Sequence, residues 1–281
     1  MDTKILALSG KKQSGKSAAA NEILGIFMSS LGIIRGYTVD GRGDLYVTDI
    51  FGDEELRGRF DYYRDNDMVR GFLEEYVHPY VKLYSFADQL KEFCVNILGV
   101  NRERVYGNNE EKDGLTHLMW EDMPGIVSPD NYEVLAKQDI ERLTGCLVRS
   151  GPMSGRDVMQ YFGSDVVRKI YPPAWAKSTV NRIKREGTLL AVITDCRFLD
   201  EVQEVQNNGG HVIRLTRGDF NDEHYSETNL DDFLGFDASI DNSKINIEQT
   251  NDILKDILND WGWIPAVEVM GENKEKVNAK Y

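Results

Sequence analysis

Cysteine is scarce in this chain. Cys94, Cys146 and Cys196 are widely spaced and odd in number, which excludes a disulfide framework or a cysteine-based zinc site and points to reduced thiols in a cytoplasmic protein. Long apolar runs are missing too. None approaches the roughly 18 residues that a membrane helix needs, so no membrane partner is expected. Met1-Asp2-Thr3-Lys4 leads straight into an apolar run, which leaves no room for a secretory signal. Positive charge is the minority sign: 33 Lys and Arg stand against 47 Asp and Glu, for a formal net charge of −14. A surface of that sign does not wrap duplex nucleic acid. It still admits a small phosphorylated ligand, for which a local cluster of Arg and Lys suffices. The four histidines, His78, His117, His211 and His224, read as structural or surface residues. Internal repeats and low-complexity segments are absent.

What is present starts with Gly10-Lys11-Lys12-Gln13-Ser14-Gly15-Lys16-Ser17, a match to G-x-x-x-x-G-K-[ST], the phosphate-binding P-loop. The apolar run Ile5-Leu6-Ala7-Leu8 before it reads as a strand, and Ala18-Ala19-Ala20-Asn21-Glu22-Ile23-Leu24 after it as a helix. Strand, loop, helix is the context this motif needs. Its glycines let backbone N–H groups close on phosphate oxygens, and the helix start adds partial positive charge. Lys16 is then expected to reach the β- and γ-phosphates of ATP, and the Ser17 hydroxyl to ligate Mg2+. Gly10, Gln13, Ser14 and Gly15 complete the donor site.

The rest of the chain alternates strands with helices. Residues 81–86 and 211–215 read as strands. Leu189-Leu190-Ala191-Val192-Ile193-Thr194-Asp195 is the clearest buried one, of the near-continuous apolar kind found in parallel sheets covered on both faces. Helices are expected at residues 87 to about 98, 152–162, 175–186, 198–207 and 246–261, the last with Ile247, Ile253, Leu254, Ile257 and Leu258 as its apolar stripe. Gly163 is expected to end the second of them. The charged stretch 40–77 reads as a surface insertion, partly helical, and residues 101–150 as a polar connection. The pattern predicts an α/β protein with the three-layer P-loop NTPase fold: a parallel sheet, helical insertions at about 40–80 and 100–185, a single domain over 1–262 and a tail at 263–281.

Ligands of such sheets bind beyond the carboxyl ends of the strands, and four clusters draw attention. Asp195 closes the strongest strand, and Arg197 and Glu201 follow it. Asp195 suits Mg2+ with its waters, or the orientation of an arginine. The competing reading is a strand-end aspartate that caps the next helix while Arg197 neutralises it. Arg156 and Gln160 are four apart and share a helix face. Arginine binds phosphate bidentately, and a glutamine amide matches the edge of a base. An ordinary amphipathic helix with a surface arginine is the alternative. Arg214 and Arg217 follow the strand 211–215, and Asp241-Asn242 precede the final helix. Arg217 and Asn242 are expected near the ATP base.

Taken together, the P-loop, Tyr84-Ser85-Phe86-Ala87 with Leu90-Lys91, Gly155-Arg156-x-x-x-Gln160-x-Phe162-Gly163-Ser164, Trp175, Ile193-Thr194-Asp195-x-Arg197-Phe198-x-x-Glu201, Val212-Ile213-Arg214-Leu215-Thr216-Arg217 and Ser226-Glu227 after His224 resemble phage-type deoxynucleoside monophosphate kinases of the P-loop nucleotide-kinase superfamily. Residues 106–122, with Lys112, Thr116 and Trp120, resemble some phage members as well. The resemblance implies phosphoryl transfer from ATP, with Mg2+, to a deoxynucleoside 5′-monophosphate in the host cytoplasm, supplying precursors for DNA synthesis. It places Lys91, Arg156, Gln160, Gly163, Ser164, Trp175, Asp195, Arg197 and Glu201 around the monophosphate. Lys16, Arg156, Asp195 and Arg197 would form the catalytic set, with Ser17 and Asp195 toward the metal. The stretch 40–77 and the tail after Gly262 have no counterpart in the family. The number of subunits, with a homodimer among the options, and the bases accepted stay open. Two rival classes share the donor site: a kinase of another small molecule, such as dephospho-coenzyme A or phosphomevalonate, and a nucleotide-dependent switch or assembly ATPase.

Overall fold

The structure is a computed structural model that describes residues 3–50, 53, 57–64, 66–129, 136–217 and 229–266; His224 and the Ser226-Glu227 motif lie outside them. Its contacts divide the chain into two compact units, one made of Met1–Phe86 with Ala176–Tyr281, the other of Ala87–Trp175.

The first unit is built on a five-stranded parallel sheet. Its spatial order is Ala238–Ile240, His211–Leu215, Lys4–Ser9, Leu190–Cys196, Val81–Tyr84. The first strand of the sequence is thus the middle strand of the sheet. Alternation along the strands sends Leu6, Leu8, Leu190, Val192, Ile213 and Leu215 to one face and Ile5, Ala7, Ala191, Ile193 and Val212 to the other. Each face needs its own cover. On the first, helix Lys16–Ser30 contributes Ile23 and Phe27, and the final helix, Ile247–Asp260, contributes Leu254 and Leu258. On the second, helix Ala174–Glu186 contributes Ala176, Val180 and Ile183, and helix Leu199–Asn207 contributes Val202 and Val205. The result is the expected three-layer α/β arrangement. No described helix is long and apolar enough to cross a membrane.

The charged insertion is a sheet before it is a helix. Strands Ile34–Val39, Leu45–Ile50 and Gly58–Phe60 pair antiparallel, followed by helix Asp67–Phe72 and a π segment, Leu73–Val77. Leu45 and Val47 are buried while Tyr46 and Thr48 are exposed, a period-2 signal masked by the surrounding charge. The hairpin turn packs on the first helix. Asn21 Nδ2 donates to the Gly43 carbonyl at 2.7 Å, and a Cβ at Gly43, whose φ is 88°, would lie 2.8 Å from that of Ala18. Deeper in, Glu22 is buried and accepts from Tyr37 Oη at 2.6 Å and Asn251 Nδ2 at 2.8 Å. One carboxylate therefore joins the first helix, the hairpin sheet and the final helix. Burial pushes its pKa up, against the hydrogen bonds from Tyr37 and Asn251 and the charge of Lys255.

The second unit has its own small core of Cys94, Val100, Val105, Trp120, Met153, Val158 and Tyr161. Its longest helical run starts at Gly155, where Ser154 and Asp157 form a reciprocal cap. Gly163 does not end that run. The chain passes from α-helix Gly155–Gln160 through a π segment, Tyr161–Val167, into Arg168–Ile170. Glycine is used here for space: a Cβ on Gly163 would stand 2.7 Å from Leu90 Cδ2. Ser164 and Asp165 consequently lie within the helical run. The polar stretch 101–150 holds short pieces, among them helices Arg102–Tyr106, Asn109–Asp113 and Lys137–Thr144 and strand Leu115–Met119.

An ionic hub in the first unit gives acid stability. Glu186 accepts from Lys82 Nζ at 2.7 Å, Tyr84 Oη at 2.9 Å and Arg182 Nε at 2.8 Å. Burial alone would raise its pKa, but the three donors outweigh it and bring it from 4.5 down to about 2. Its contribution to stability is fully present above pH 4.5 and is lost as pH falls through about 2. Glu186→Gln is expected to lower stability at neutral pH and to flatten the fall between these two values. Urea denaturation across that pH range measures it; parallel curves for the two proteins would remove Glu186 from the acid response.

Candidate functional site

The candidate residues of the first unit gather at the carboxyl edge of the parallel sheet. The middle strand ends at Ser9, and loop 10–17 follows with φ of 150° at Gly10, 63° at Gln13 and 98° at Gly15. Backbone conformations of this kind are the ones that let N–H groups close on an anion. Space is tight as well: a Cβ on Gly10 would lie 2.7 Å from the Leu215 carbonyl oxygen. Lys16 Nζ donates to the carbonyls of Gly10 at 2.6 Å and Lys11 at 2.7 Å. The ammonium thus already stands at the mouth of the loop, on acceptors that an anion can replace. Ser17, in the first turn of the helix, is exposed, as are Lys12 and Gln13.

Two neighbouring strand ends brace this loop. Asn242, after the edge strand Ala238–Ile240, is 2% exposed and donates to the Ser14 carbonyl at 2.9 Å. Asn242 thus holds the backbone of the loop at Ser14. Arg214 is 8% exposed and donates to Ser9 Oγ at 3.1 Å and Asp231 Oδ1 at 3.0 Å, while Asp231 also pairs with Lys11 at 2.9 Å. Asp231 carried no motif, and its role arises only because residues distant in sequence meet here. Arg217, two residues past the strand, is exposed.

Asp195 sits at an irregularity in the sheet. Ala7 is opposite Ile193 but Ser9 is opposite Cys196, so the strand carrying Asp195 has one residue more than its partner. Bulges of this kind re-aim a side chain at a sheet rim. Asp195 Oδ2 accepts from Ser85 Oγ at 2.5 Å and Oδ1 from the Phe86 N–H at 2.7 Å. The carboxylate therefore ties two adjacent strand ends together. The start of helix Leu199–Asn207 is served by Glu201, which is 2% exposed and accepts from the N–H groups of Arg197 at 2.8 Å and Phe198 at 3.1 Å. Glu201 thus fixes the backbone at Arg197. Among the described residues no three His, Cys, Asp or Glu side chains gather into a metal cage. Ser17 and Asp195 offer a hydroxyl and a carboxylate, a donor set that suits Mg2+ held mainly by phosphate oxygens and water.

The remaining candidates belong to the second unit. Arg156 Nε donates to Asp113 Oδ1 at 2.7 Å and its Nη2 to Asn109 Oδ1 at 3.2 Å. Gln160, one turn later, is exposed, and so is Ser164. Lys91 Nζ lies 3.9 Å from Asp88 and 5.3 Å from the centre of the Tyr106 ring. Trp175 is buried, with its indole N–H on the Gly163 carbonyl at 3.0 Å and its ring edge-on to Phe93 at 6.4 Å. Its contacts lock the Gly163 segment. A cavity of about 590 Å³ in the first unit, lined by Glu22, Tyr37, Asn251 and Lys255 among others, contains none of these candidates.

No protein-family model matches the chain. Over 174 residues it is 25% identical to a protein of Acanthamoeba polyphaga mimivirus named "Putative deoxynucleotide monophosphate kinase", with 57% of this chain and 74% of that protein covered.

The bracing of the loop yields a prediction. Asn242→Ala removes the donor from the buried Ser14 carbonyl, and a buried group left unpaired costs about 1–3 kcal/mol. The variant is expected to unfold at lower denaturant and to bind ATP more weakly. Denaturation with and without ATP reads both. An unchanged ATP affinity would make the contact one of stability alone.

Proposed function

We propose that this chain is an ATP-dependent kinase that phosphorylates deoxynucleoside 5′-monophosphates to diphosphates. The observation that carries the reading is loop 10–17. It follows the middle strand of a parallel sheet, three of its residues have positive φ, and Lys16 Nζ stands on the carbonyls of Gly10 and Lys11. The likeness to the mimivirus protein supports a kinase, and the printed name of that relative supports the deoxynucleotide class. The cations of the second unit fit a phosphorylated acceptor.

In this reading the Lys16 ammonium exchanges the Gly10 and Lys11 carbonyls for β- and γ-phosphate oxygens. The N–H groups of the loop neutralise the remaining charge, and Asn242 keeps their aim. Mg2+, when bound, would be held by the Ser17 hydroxyl and, through water, by Asp195, and would neutralise charge on the donor phosphates. Asp195 accepts from Ser85 and Phe86, which fixes the orientation of its carboxylate. Arg197, its backbone fixed by Glu201, supplies positive charge at the same sheet edge. Arg156 takes the acceptor phosphate, and Gln160 the edge of its base. The acceptor oxygen is already ionised at neutral pH, so the chemistry needs positioning and charge balance rather than a strong general base.

A coupled assay for ADP with and without dGMP, dTMP, dCMP and dAMP tests the reading. Acceptor-dependent ADP release is expected. Slow release that ignores every monophosphate would favour a switch or assembly ATPase, and no release with them a kinase of another small molecule. Lys16→Ala should reduce kcat by about 10²- to 10³-fold with the fold intact, the usual loss for one charge-stabilising donor; more than half the wild-type kcat would remove the loop from the mechanism. Arg156→Ala should raise KM for all four acceptors alike. Gln160→Ala should reorder them, since its lost bonds differ between bases. Were both instead to raise KM for ATP and keep the acceptor ranking, the helix they share would belong to the donor side or to the scaffold.

A further inference from the structure

The cavity of about 590 Å³ in the first unit takes no part in the kinase reading. Its walls come from three elements: helix Lys16–Ser30 at Glu22, the end of strand Ile34–Val39 with the turn after it, and the first turns of helix Ile247–Asp260. The volume lies within the roughly 300–1,000 Å³ of small-molecule sites. The charge of the lining is mostly of one sign. Glu22, Asp40, Glu248 and Asp252 bring four carboxyl groups against the one ammonium of Lys255. Asp40 Oδ1 accepts from the N–H groups of Asp44 and Arg42 at 2.9 Å each, which holds its carboxyl below the usual carboxylate range. Glu22 is under the opposite pressure. Burial pushes its pKa up before any other cause, and the charge of Asp252 adds to this, against Tyr37, Lys255 and Asn251. A cation in the cavity would relieve both causes.

Asn251, also in the lining, is 6% exposed, and its two amide atoms fare differently. Nδ2 donates to Glu22 Oε2 at 2.8 Å, whereas Oδ1 is buried with no hydrogen-bond partner. A buried acceptor left unpaired is costly, and a donor from a ligand would remove that cost. The start of the final helix does not call for an anion. Asn246 Oδ1 accepts from the Gln249 N–H at 2.8 Å, and Glu248 adds negative charge to the first turn. A single divalent ion fits no better, because no three described His, Cys, Asp or Glu side chains converge as metal ligands. The carboxyl groups are spread along the walls, with Val39 and Ile247 in the same lining. Ammonium groups on a methylene chain match that layout: each charge meets a carboxylate, and the spacers lie on apolar side chains.

We propose that this cavity binds a linear aliphatic polyamine, whose ammonium groups pair with its carboxylates and supply the donor that Asn251 Oδ1 lacks. The proposal does not depend on the kinase reading, and its test needs no turnover. Spermidine is titrated calorimetrically into the full chain at about 0.15 M salt, where long-range attraction to an acidic protein is screened. The proteins are the wild type, the double variant Glu248→Gln/Asp252→Asn, and the control Asp256→Asn/Asp260→Asn, which removes two exposed carboxylates of the same helix that lie outside the cavity. Circular dichroism verifies folding. One molecule of spermidine is expected to bind the wild type and the control alike. The Glu248→Gln/Asp252→Asn variant should bind it about 5- to 30-fold more weakly, the loss of two partly exposed ion pairs. Hexane-1,6-diamine and hexamethonium, equal in charge and spacing, separate charge from hydrogen bonding. The diamine should bind more tightly, because hexamethonium has no N–H to donate. Equal spermidine affinity in all three proteins, equal weakening in both variants, hexamethonium binding as tight as the diamine, or no binding at all would each overturn the proposal. So would a Glu248→Gln/Asp252→Asn variant that loses affinity for ATP in place of spermidine, since the cavity would then belong to the donor nucleotide.

Discussion

The carboxyl edge of the sheet depends on holding residues 10–15 in a backbone that a free chain rarely adopts. Gly10, Gln13 and Gly15 all have φ in the positive range. For Gln13, which has a Cβ, that conformation costs roughly 1–3 kcal/mol and persists only where its surroundings over-determine it. The surroundings do so. Asn242 grips the Ser14 carbonyl from the next-to-last element, Arg214 grips Ser9, and Asp231 ties Arg214 to Lys11. A parallel sheet makes this possible, because all five strands end at one edge and their loops can brace one another.

The same logic extends along the first helix. Its N-terminus follows the strained loop, and its flank is tied by Glu22 to the hairpin sheet through Tyr37 and to the final helix through Asn251. Ala18 and Asn21 contact the hairpin turn at Gly43. The insertion is thereby a buttress for the helix that carries Lys16 and Ser17. Its charged residues are the solvent side of a small sheet whose inner side, Leu45 and Val47, belongs to the core.

The second unit works by a different principle. Its core is small, its helices are short, and a π segment runs through Gly163. π segments recur at functional sites because the extra residue changes which side chains share a face. Here the segment follows directly on the turn that bears Arg156 and Gln160, and Trp175 and Leu90 close around Gly163. Ring and glycine thus set the helix that presents the polar residues.

Local signals were sufficient for the loop, the buried strands and the helices that flank them, since glycine spacing and apolar periodicity act over a few residues. They also pointed to Asp195, because a polar residue closing an apolar run stands out by itself. The strand Ala238–Ile240 is too short for periodicity to reveal, and the hairpin sheet was hidden by charge on its outer face. That Asn242 holds the loop at Ser14 and that Asp231 bridges two cations could not be read from the order of residues. These are meetings of side chains from different elements, and only the tertiary structure brings them within a few ångströms, where hydrogen bonds and Coulomb forces decide what each group does.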